Sequence, residues 1–176
     1  TFAEALETGV IRESDMIDCL GGNYRIGSHT IHDSHELGVV PAEDVLVFSS
    51  NIGTVRIAER IGKRKLYERA RLFGFGEVTG SDFPNETRGM LPNPKTWSNL
   101  SLPTISFGQG VAVSPLQLVA AYGAIANGGE LLSPRIISGF RDRGGNIVRA
   151  SGARTVRRVM ERETADIRRD YEYLMR

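Results

Sequence analysis

Cysteine is almost absent from this sequence, since Cys19 is the only one among 176 residues. A single cysteine excludes an internal disulfide framework and a zinc site built from several thiolates. Neither sign of charge predominates, because 22 Lys and Arg residues are matched by 21 Asp and Glu residues. A nearly neutral chain has no overall field that would attract nucleic acid, so we expect no nucleic-acid partner.

Long apolar runs are absent as well. No segment approaches the roughly 18 consecutive apolar residues of a membrane-spanning helix. The N-terminus also lacks the basic and then apolar segment of a targeting sequence. The length is that of one domain. The first residues, Thr1 to Glu7, begin inside a helical pattern with no capping residue before them, so we expect the chain to be part of something longer.

The most informative stretch is Val45–Gly53, where an apolar run ends in Ser49, Ser50 and Asn51 and a second helical pattern begins at once. Polar side chains between helices cost stability if they are buried without partners. These three therefore either cap a helix or point into a cleft. A cap from Ser50 or Asn51 to the helix that starts near Ile52 is the simpler interpretation, and the two roles are compatible.

Apolar periodicity predicts a mainly helical chain with a few short strands. Ser114 and Gln117 form a capping box before a helix that is apolar on nearly every side, which predicts a central buried helix. Glycine and proline recur between residues 74 and 103 and predict a long, functional or flexible surface loop. The predicted helices cover residues 1–8, 42–48, 52–61, 66–73, 115–126 and about 161–175. One predicted strand, Tyr24–Ile26, belongs to a small hairpin between Asp18 and Gly38. Two or three further strands are predicted around a hairpin turn at Arg143–Asn146, from the segments Leu131–Leu132, Arg135–Ile137 and Asn146–Arg149.

Three other patterns have weaker functional interpretations. His29, His32 and His35, with Asp33 nearby, have the spacing of metal ligands on a helix, but Gly27 and Gly38 disfavour a helix there. We expect no metal and no cofactor. Gly108-Gln109-Gly110 suggests a phosphate cradle but lacks the Lys-Ser/Thr of a P-loop. Arg154, Arg157, Arg158 and Arg162 alternate with acids and predict a solvated face.

An ordered series of short motifs runs through almost the whole chain. The motifs are Ser49-Ser50-Asn51-Ile52-Gly53, Phe73-Gly74-Phe75-Gly76, Thr79 to Glu86, Gly89-Met90-Leu91-Pro92, Trp97, Phe107-Gly108-Gln109-Gly110 and Ser114-Pro115-Leu116-Gln117-Leu118. With these motifs the chain resembles the transpeptidase domain of class B penicillin-binding proteins, of the cell-division and sporulation type. A lone Ser-x-Asn recurs by chance, whereas an ordered series of this length is specific.

The resemblance implies an α+β fold of the penicillin-binding-protein/β-lactamase-like transpeptidase type, of which this chain would supply mostly the helical lobe and a β-hairpin. The implied activity is that of a peptidoglycan D,D-transpeptidase, which cross-links the cell wall by acyl transfer through a serine ester. Carried over by position, Ser49 is the hydroxyl that relays a proton, and Asn51 is the carboxamide that holds the substrate amide. Ser50 should point away from the substrate and cap or pack.

The resemblance also implies partners and a location. The implied partners are peptidoglycan stem peptides and β-lactams, together with cell-division or other cell-wall synthesis proteins. The implied location is the periplasmic face of the cell membrane, with an anchor outside this chain.

Two of the family's three catalytic motifs have no counterpart in the sequence. The Ser-x-x-Lys motif would lie just before Thr1, and the Lys-Thr/Ser-Gly motif would follow Arg176. Lys95-Thr96-Trp97 is not the latter motif, because its third residue is tryptophan. We therefore expect residues 1–176 to be a single partial domain, truncated at both ends, with no nucleophile and no activity of its own. The alternative is a non-catalytic module that kept the scaffold for protein interaction.

Overall fold

A computed structural model of the chain describes residues 1–150 and 152–167, apart from the side chains of residues 149 and 150. The helices are α1 (Phe2–Glu7), α2 (Ala42–Val47), α3 (Asn51–Ile61), α4 (Lys63–Leu72), α5 (Ser101–Ser106) and α6 (Pro115–Ala126). The strands are β1 (Met16–Asp18), β2 (Asn23–Ile26), β3 (His29–His32), β4 (Val39–Pro41), β5 (Glu130–Ser133), β6 (Gly139–Arg141), β7 (Ile147–Ala150) and β8 (Arg154–Arg158).

The strands of the described ranges pair two by two. The antiparallel pairs are β1 with β4, β2 with β3, β5 with β8, and β6 with β7. In the same ranges no helix is long and apolar enough to cross a bilayer. Helices and small antiparallel sheets lie in separate parts of the sequence, as the α+β prediction requires.

Most of the predicted helices are confirmed to within a few residues, because local signals define their ends. Ser114 and Gln117 form the predicted capping box at the start of α6, with each side chain bonded to the other residue's backbone N–H. The last predicted helix is present over residues 162–167, and its remainder lies outside the described residues. Helix α5 was not predicted. Its Pro103 suggested a loop, but proline is tolerated in the first turn of a helix.

The prediction of a strand at Arg135–Ile137 is wrong. The backbone N–H groups of Ile136 and Ile137 donate to the two carboxylate oxygens of Asp82, at 2.7 and 2.9 Å, and not to a neighbouring strand. A strand follows instead at Gly139–Arg141 and pairs with β7. Periodicity alone could not reveal this, because the partner is a side chain more than fifty residues away.

The prediction that α6 is a central buried helix is wrong for one of its faces. Leu118, Val119 and Tyr122 are 44%, 66% and 55% exposed, while Ala121 and Ala124 on the same helix are buried. An apolar face of α6 is therefore open in the described part of the chain.

The described residues form two hydrophobic cores between these helices and strands. The first core joins α1, α2, α3 and β1 around Ile17, Val45 and Ile57, all fully buried. The second core joins α6, β5 and the residues after β8 around Ala124, Val159 and Met160.

A buried ion pair connects the regions of the two cores. Glu4 in α1 and Arg69 in α4 approach to 2.5 Å, with side chains only 7% and 13% exposed. Arg69 also donates to the carbonyl of Val159, in the second core. A carboxylate buried this deeply is tolerated only because it is paired and hydrogen-bonded.

The long loop after α4 is held in place at several points. The buried Gln117 side chain donates to the carbonyls of Glu77 and Arg88, at 2.6 and 2.9 Å. Met90 and Ala112 form an isolated antiparallel bridge. Arg157, expected on a solvated face, is instead half-buried and donates to the carbonyl of Leu72 at 2.8 Å.

Helices α2 and α3 pack closely at Gly53. A methyl group placed on Gly53 would lie 2.5 Å from Cγ1 of the buried Val45 and 3.0 Å from Sγ of Cys19. The first distance is well inside van der Waals contact, and Val45 is β-branched and has no room to move. Glycine is therefore required by packing at this position.

We predict that Gly53→Ala destabilises the chain. The steric cost of overpacking exceeds the gain in helix propensity, giving a net loss of about 1–2 kcal/mol in the free energy of unfolding. Chemical denaturation measures it. The matched control is Gly123→Ala in α6, where an added methyl meets nothing within 4 Å and should be neutral or stabilising. Equal effects of the two substitutions would contradict the packing argument.

A second prediction concerns pH. Hydrogen bonds from Ile136 and Ile137 lower the pKa of Asp82 from its ordinary value of 3.8. A lowered folded-state pKa means that the stabilisation is fully present above pH 3.8 and is lost as pH falls through the lower, folded value. The amide NMR shifts of Ile136 and Ile137 should change with pH as Asp82 titrates. This pH dependence should disappear in Asp82→Asn and remain in the control variant Asp142→Asn. A midpoint at or above 3.8 contradicts this.

Candidate active site

A groove of about 460 Å³ opens beside the junction of α2 and α3. Its walls come from the start of α1, from α4, from the end of α5 and from α6, and they are largely apolar. Ser49, Ser50 and Asn51 all line this groove. The two residues singled out from the sequence thus border one cleft.

Ser49 stands where one helix ends. Its N–H donates to the carbonyl of Leu46 at 3.1 Å, and the N–H of Ser50 donates to that of Val45 at 2.9 Å. This pair of bonds is the Schellman arrangement, in which the residue after the cap adopts a left-handed conformation and is usually glycine. Ser49 has that conformation, with φ +53°, and is exposed. Ser49 therefore has a side chain at a position where the backbone conformation favours glycine.

Ser50 stands where the next helix begins, and it is 2% exposed. Its Oγ accepts from the N–H of Gly53 at 2.9 Å, which makes it the N-cap of α3. The same hydroxyl donates to Oδ2 of Asp33 at 2.5 Å. The middle residue of Ser-Ser-Asn is thus turned inward, as expected.

Asp33 supplies a second cap to the same helix. Its Oδ1 accepts from the N–H of Ile52 at 3.1 Å, while its Oδ2 takes the Ser50 hydroxyl. A carboxylate here also interacts favourably with the positive end of the α3 dipole. The capping role of Asp33 was missed from the sequence. The signal was an acid just after a predicted hairpin.

Asn51 is oriented by the adjacent residue of that hairpin. Its Nδ2 donates to the backbone carbonyl of His32 at 3.1 Å. The hairpin is itself linked to α3, because the hydroxyl of Tyr24 donates to Glu59 at 2.7 Å. The plane of the Asn51 carboxamide is therefore set by a strand that is tied to the helix carrying it.

Cys19 lies under the junction and is fully buried. Burial raises the pKa of its thiol above the ordinary value of 9.0. A buried thiol of raised pKa stays protonated at neutral pH and is a poor nucleophile. The geometry makes Cys19 a packing residue of the first core.

The histidines do not converge. His29 and His32 lie at opposite ends of the exposed strand β3, and His32 pairs through Nδ1 with Asn23 at 2.8 Å. No group of three potential metal ligands occurs within the described ranges.

The Gly108-Gln109-Gly110 turn closes a helix and does not open one. The N–H groups of Gly108 and Gln109 donate to the carbonyls of Ile105 and Thr104 in α5. These amides are engaged and cannot cradle a phosphate. Gly108 instead lines the groove that contains Ser49.

Comparison with known proteins assigns the chain to a family. The family model described as penicillin binding protein transpeptidase domain matches residues 1–170. The chain is 37% identical over 139 residues to penicillin-binding protein PbpB of Mycolicibacterium smegmatis, which covers 78% of the chain and 21% of that protein. It is 34% identical over 170 residues to the probable peptidoglycan D,D-transpeptidase PbpC of Pseudomonas aeruginosa, covering 94% and 30%. It is 34% identical over 125 residues to peptidoglycan D,D-transpeptidase FtsI of Escherichia coli, covering 71% and 21%.

Solved structures give the same assignment. Penicillin binding protein 3 of Mycobacterium tuberculosis in complex with aztreonam superposes with a TM-score of 0.85 at 30% identity, covering 99% of this chain and 39% of that one. The transpeptidase domain of penicillin-binding protein 3 from Burkholderia pseudomallei gives 0.83 at 26% identity, covering 97% and 49%. The chain thus spans less than half of the proteins it matches here. With the predicted α+β transpeptidase fold confirmed, the chain belongs to the transpeptidase domain family of class B penicillin-binding proteins.

Proposed function

We propose that this chain forms the Ser-x-Asn side of the active cleft of a serine D,D-transpeptidase that cross-links peptidoglycan. The observation that carries the proposal is the geometry of three consecutive residues. All three line one groove, but the buried Ser50 hydroxyl is engaged as a helix cap, whereas Ser49 is exposed and Asn51 is half-buried. A junction that only connected two helices would need the capping side chain of Ser50, but it would need no particular side chain at residues 49 and 51.

The acyl-transfer chemistry defines a role for each side chain. An amine leaving group must be protonated as the tetrahedral intermediate collapses, and Ser49 is the hydroxyl that relays this proton. The acyl donor must also be held within about an ångström of its reactive position. Asn51 provides a carboxamide that donates and accepts hydrogen bonds with the backbone amide of a stem peptide. The attacking serine and its lysine are proposed to come from a part of the protein outside these 176 residues, which contain no Ser-x-x-Lys.

The conformation of Ser49 supports this assignment. Left-handed backbone costs a non-glycine residue about 1–2 kcal/mol, and glycine would remove that cost. Residues held in such conformations cluster at active sites, where the surrounding structure enforces them. The hydroxyl at residue 49 is therefore retained against the preference of the turn, as a functional group would be.

The partners and the location follow from the same proposal. Structures of penicillin binding protein 3 from Mycobacterium tuberculosis contain aztreonam and ampicillin, and we propose that the complete domain containing this chain likewise binds β-lactams. Its substrates are peptidoglycan stem peptides, and its protein partners belong to the cell-division or cell-wall synthesis machinery. The proposed substrates and the proposed partners both imply a location at the periplasmic face of the cell membrane.

A fluorescent penicillin tests the enzyme assignment. The natural full-length protein that carries this chain should form one covalent adduct per molecule, and ampicillin should block it. Residues 1–176 alone are the control and should remain unlabelled, because the sequence contains no Ser-x-x-Lys. If the full-length protein gives no adduct, the enzyme proposal fails, and the non-catalytic interaction module becomes the better description.

A matched pair of substitutions tests Ser49. Both Ser49→Ala and Ser49→Gly remove the hydroxyl, so each should slow acylation of the full-length protein about 10²-fold or more. They should differ in stability, because glycine accepts the left-handed conformation and alanine does not. Ser49→Gly should be about 1 kcal/mol more stable than Ser49→Ala in chemical denaturation. Unchanged acylation would refute the role of the hydroxyl, and a less stable glycine variant would refute the strain.

A further inference from the structure

The turn that carries Ser49 and Asn51 is held from outside by two consecutive residues. The carbonyl of His32 takes the Asn51 side chain, and the carboxylate of Asp33 takes both the Ser50 hydroxyl and the Ile52 N–H. Three successive residues of the turn are thus bound to one end of the β2–β3 hairpin. The bonds from Asn51 and Ile52 are each 3.1 Å long, within the normal range for N–H donors, and the bond from the Ser50 hydroxyl to the Asp33 carboxylate is shorter.

The junction has particular need of such support. Helix α2 ends and α3 begins within three residues, so unsatisfied carbonyls and unsatisfied N–H groups lie side by side. Ser49 at the same place has a disfavoured backbone conformation. The Ser50 hydroxyl can cap only one N–H, that of Gly53, and the next free donor, Ile52 N–H, is taken by Asp33.

The hairpin end is itself well fixed. The N–H of Asp33 donates to the carbonyl of Gly22 at 3.0 Å, and β2 and β3 pair over four residues. Gly22 has φ +80°, and a methyl group there would lie 3.2 Å from the carbonyl oxygen of His35. The backbone therefore folds tightly around Asp33, and its half-buried carboxylate is directed at the start of α3.

We infer that Asp33 is a positioning residue for acyl transfer. Through Ser50 and Ile52 it holds the backbone of the turn so that the Ser49 hydroxyl and the Asn51 carboxamide remain in the groove. It is assigned no catalytic role, since both oxygens of its carboxylate are engaged by the turn. The inference rests on the proposed transpeptidase function and assigns to that site a residue outside the Ser-x-Asn motif.

The test uses Asp33→Asn and Asp33→Ala in the full-length protein, with Asp142→Asn as the matched control. Asp142 likewise binds one backbone N–H and one side-chain donor, both from Asn146, in the distant β6–β7 turn. Stopped-flow acylation by a fluorescent penicillin separates the acylation rate constant from the dissociation constant of the initial complex. Active-site titration measures the fraction of molecules that can react, so that unfolded protein is not mistaken for slower acylation.

We expect the acylation rate constant of Asp33→Ala to fall about 10- to 100-fold with little change in the dissociation constant, because misplaced groups affect the transition state most. Asp33→Asn should fall less, since its amide oxygen can still accept from Ile52. Ser50→Ala combined with Asp33→Ala should cost less than the sum of the two single changes. The Asp142→Asn control should react like the wild type.

Two outcomes separate the possible failures. A wild-type protein that does not react with penicillin sinks the proposed function, and the positioning role falls with it. If the wild type reacts and the folded Asp33 variants keep the full acylation rate constant, the inference alone is overturned. The same holds if the variants lose activity only because a smaller fraction of their molecules is active. An activity-independent readout is the amide NMR spectrum, in which Ser49 and Asn51 should shift in Asp33→Asn and stay in place in Asp142→Asn.

Discussion

The hydrogen bond between Ser50 and Asp33 is the constraint on which the candidate site depends. Two helices meet with almost no linker, and the orphan backbone groups of both ends must be satisfied in three residues. Ser50 and Asp33 together satisfy the first donors of α3, and they do so from inside the fold. Ser49 and Asn51, on either side, line the groove together with Ser50. Capping and the proposed chemistry therefore fall to adjacent residues and do not compete.

That division has a cost in stability. Ser49 occupies the left-handed position at the end of α2, where glycine would be preferred, while Gly53 one turn later is glycine because Val45 and Cys19 leave no room for a methyl group. Glycine is thus present where packing demands it and absent where backbone conformation would favour it. A hydroxyl at residue 49 is the feature that stability alone does not explain.

The groove depends on elements that are far apart in sequence. The first core positions the helix junction, the second core positions α6, and the buried pair of Glu4 and Arg69 ties α1 to α4 between them. The long loop after α4 is fixed over α6 by the amide of Gln117, which bonds to three of its carbonyls. One wall of the groove belongs to α6, whose exposed Leu118 and Tyr122 line it.

The sequence by itself determined the local features of this protein. Helix ends, the capping box at Ser114, the β2–β3 hairpin and the motif series all depend on residues close together in the chain, and they were predicted. Only the tertiary structure decided the rest. Asp82 replaced a strand partner for Ile136, α6 kept an open apolar face, and Asp33 capped a helix from another element. The physical reason is that these interactions join residues distant in sequence, and periodicity and capping patterns carry no information about which distant groups the fold brings together.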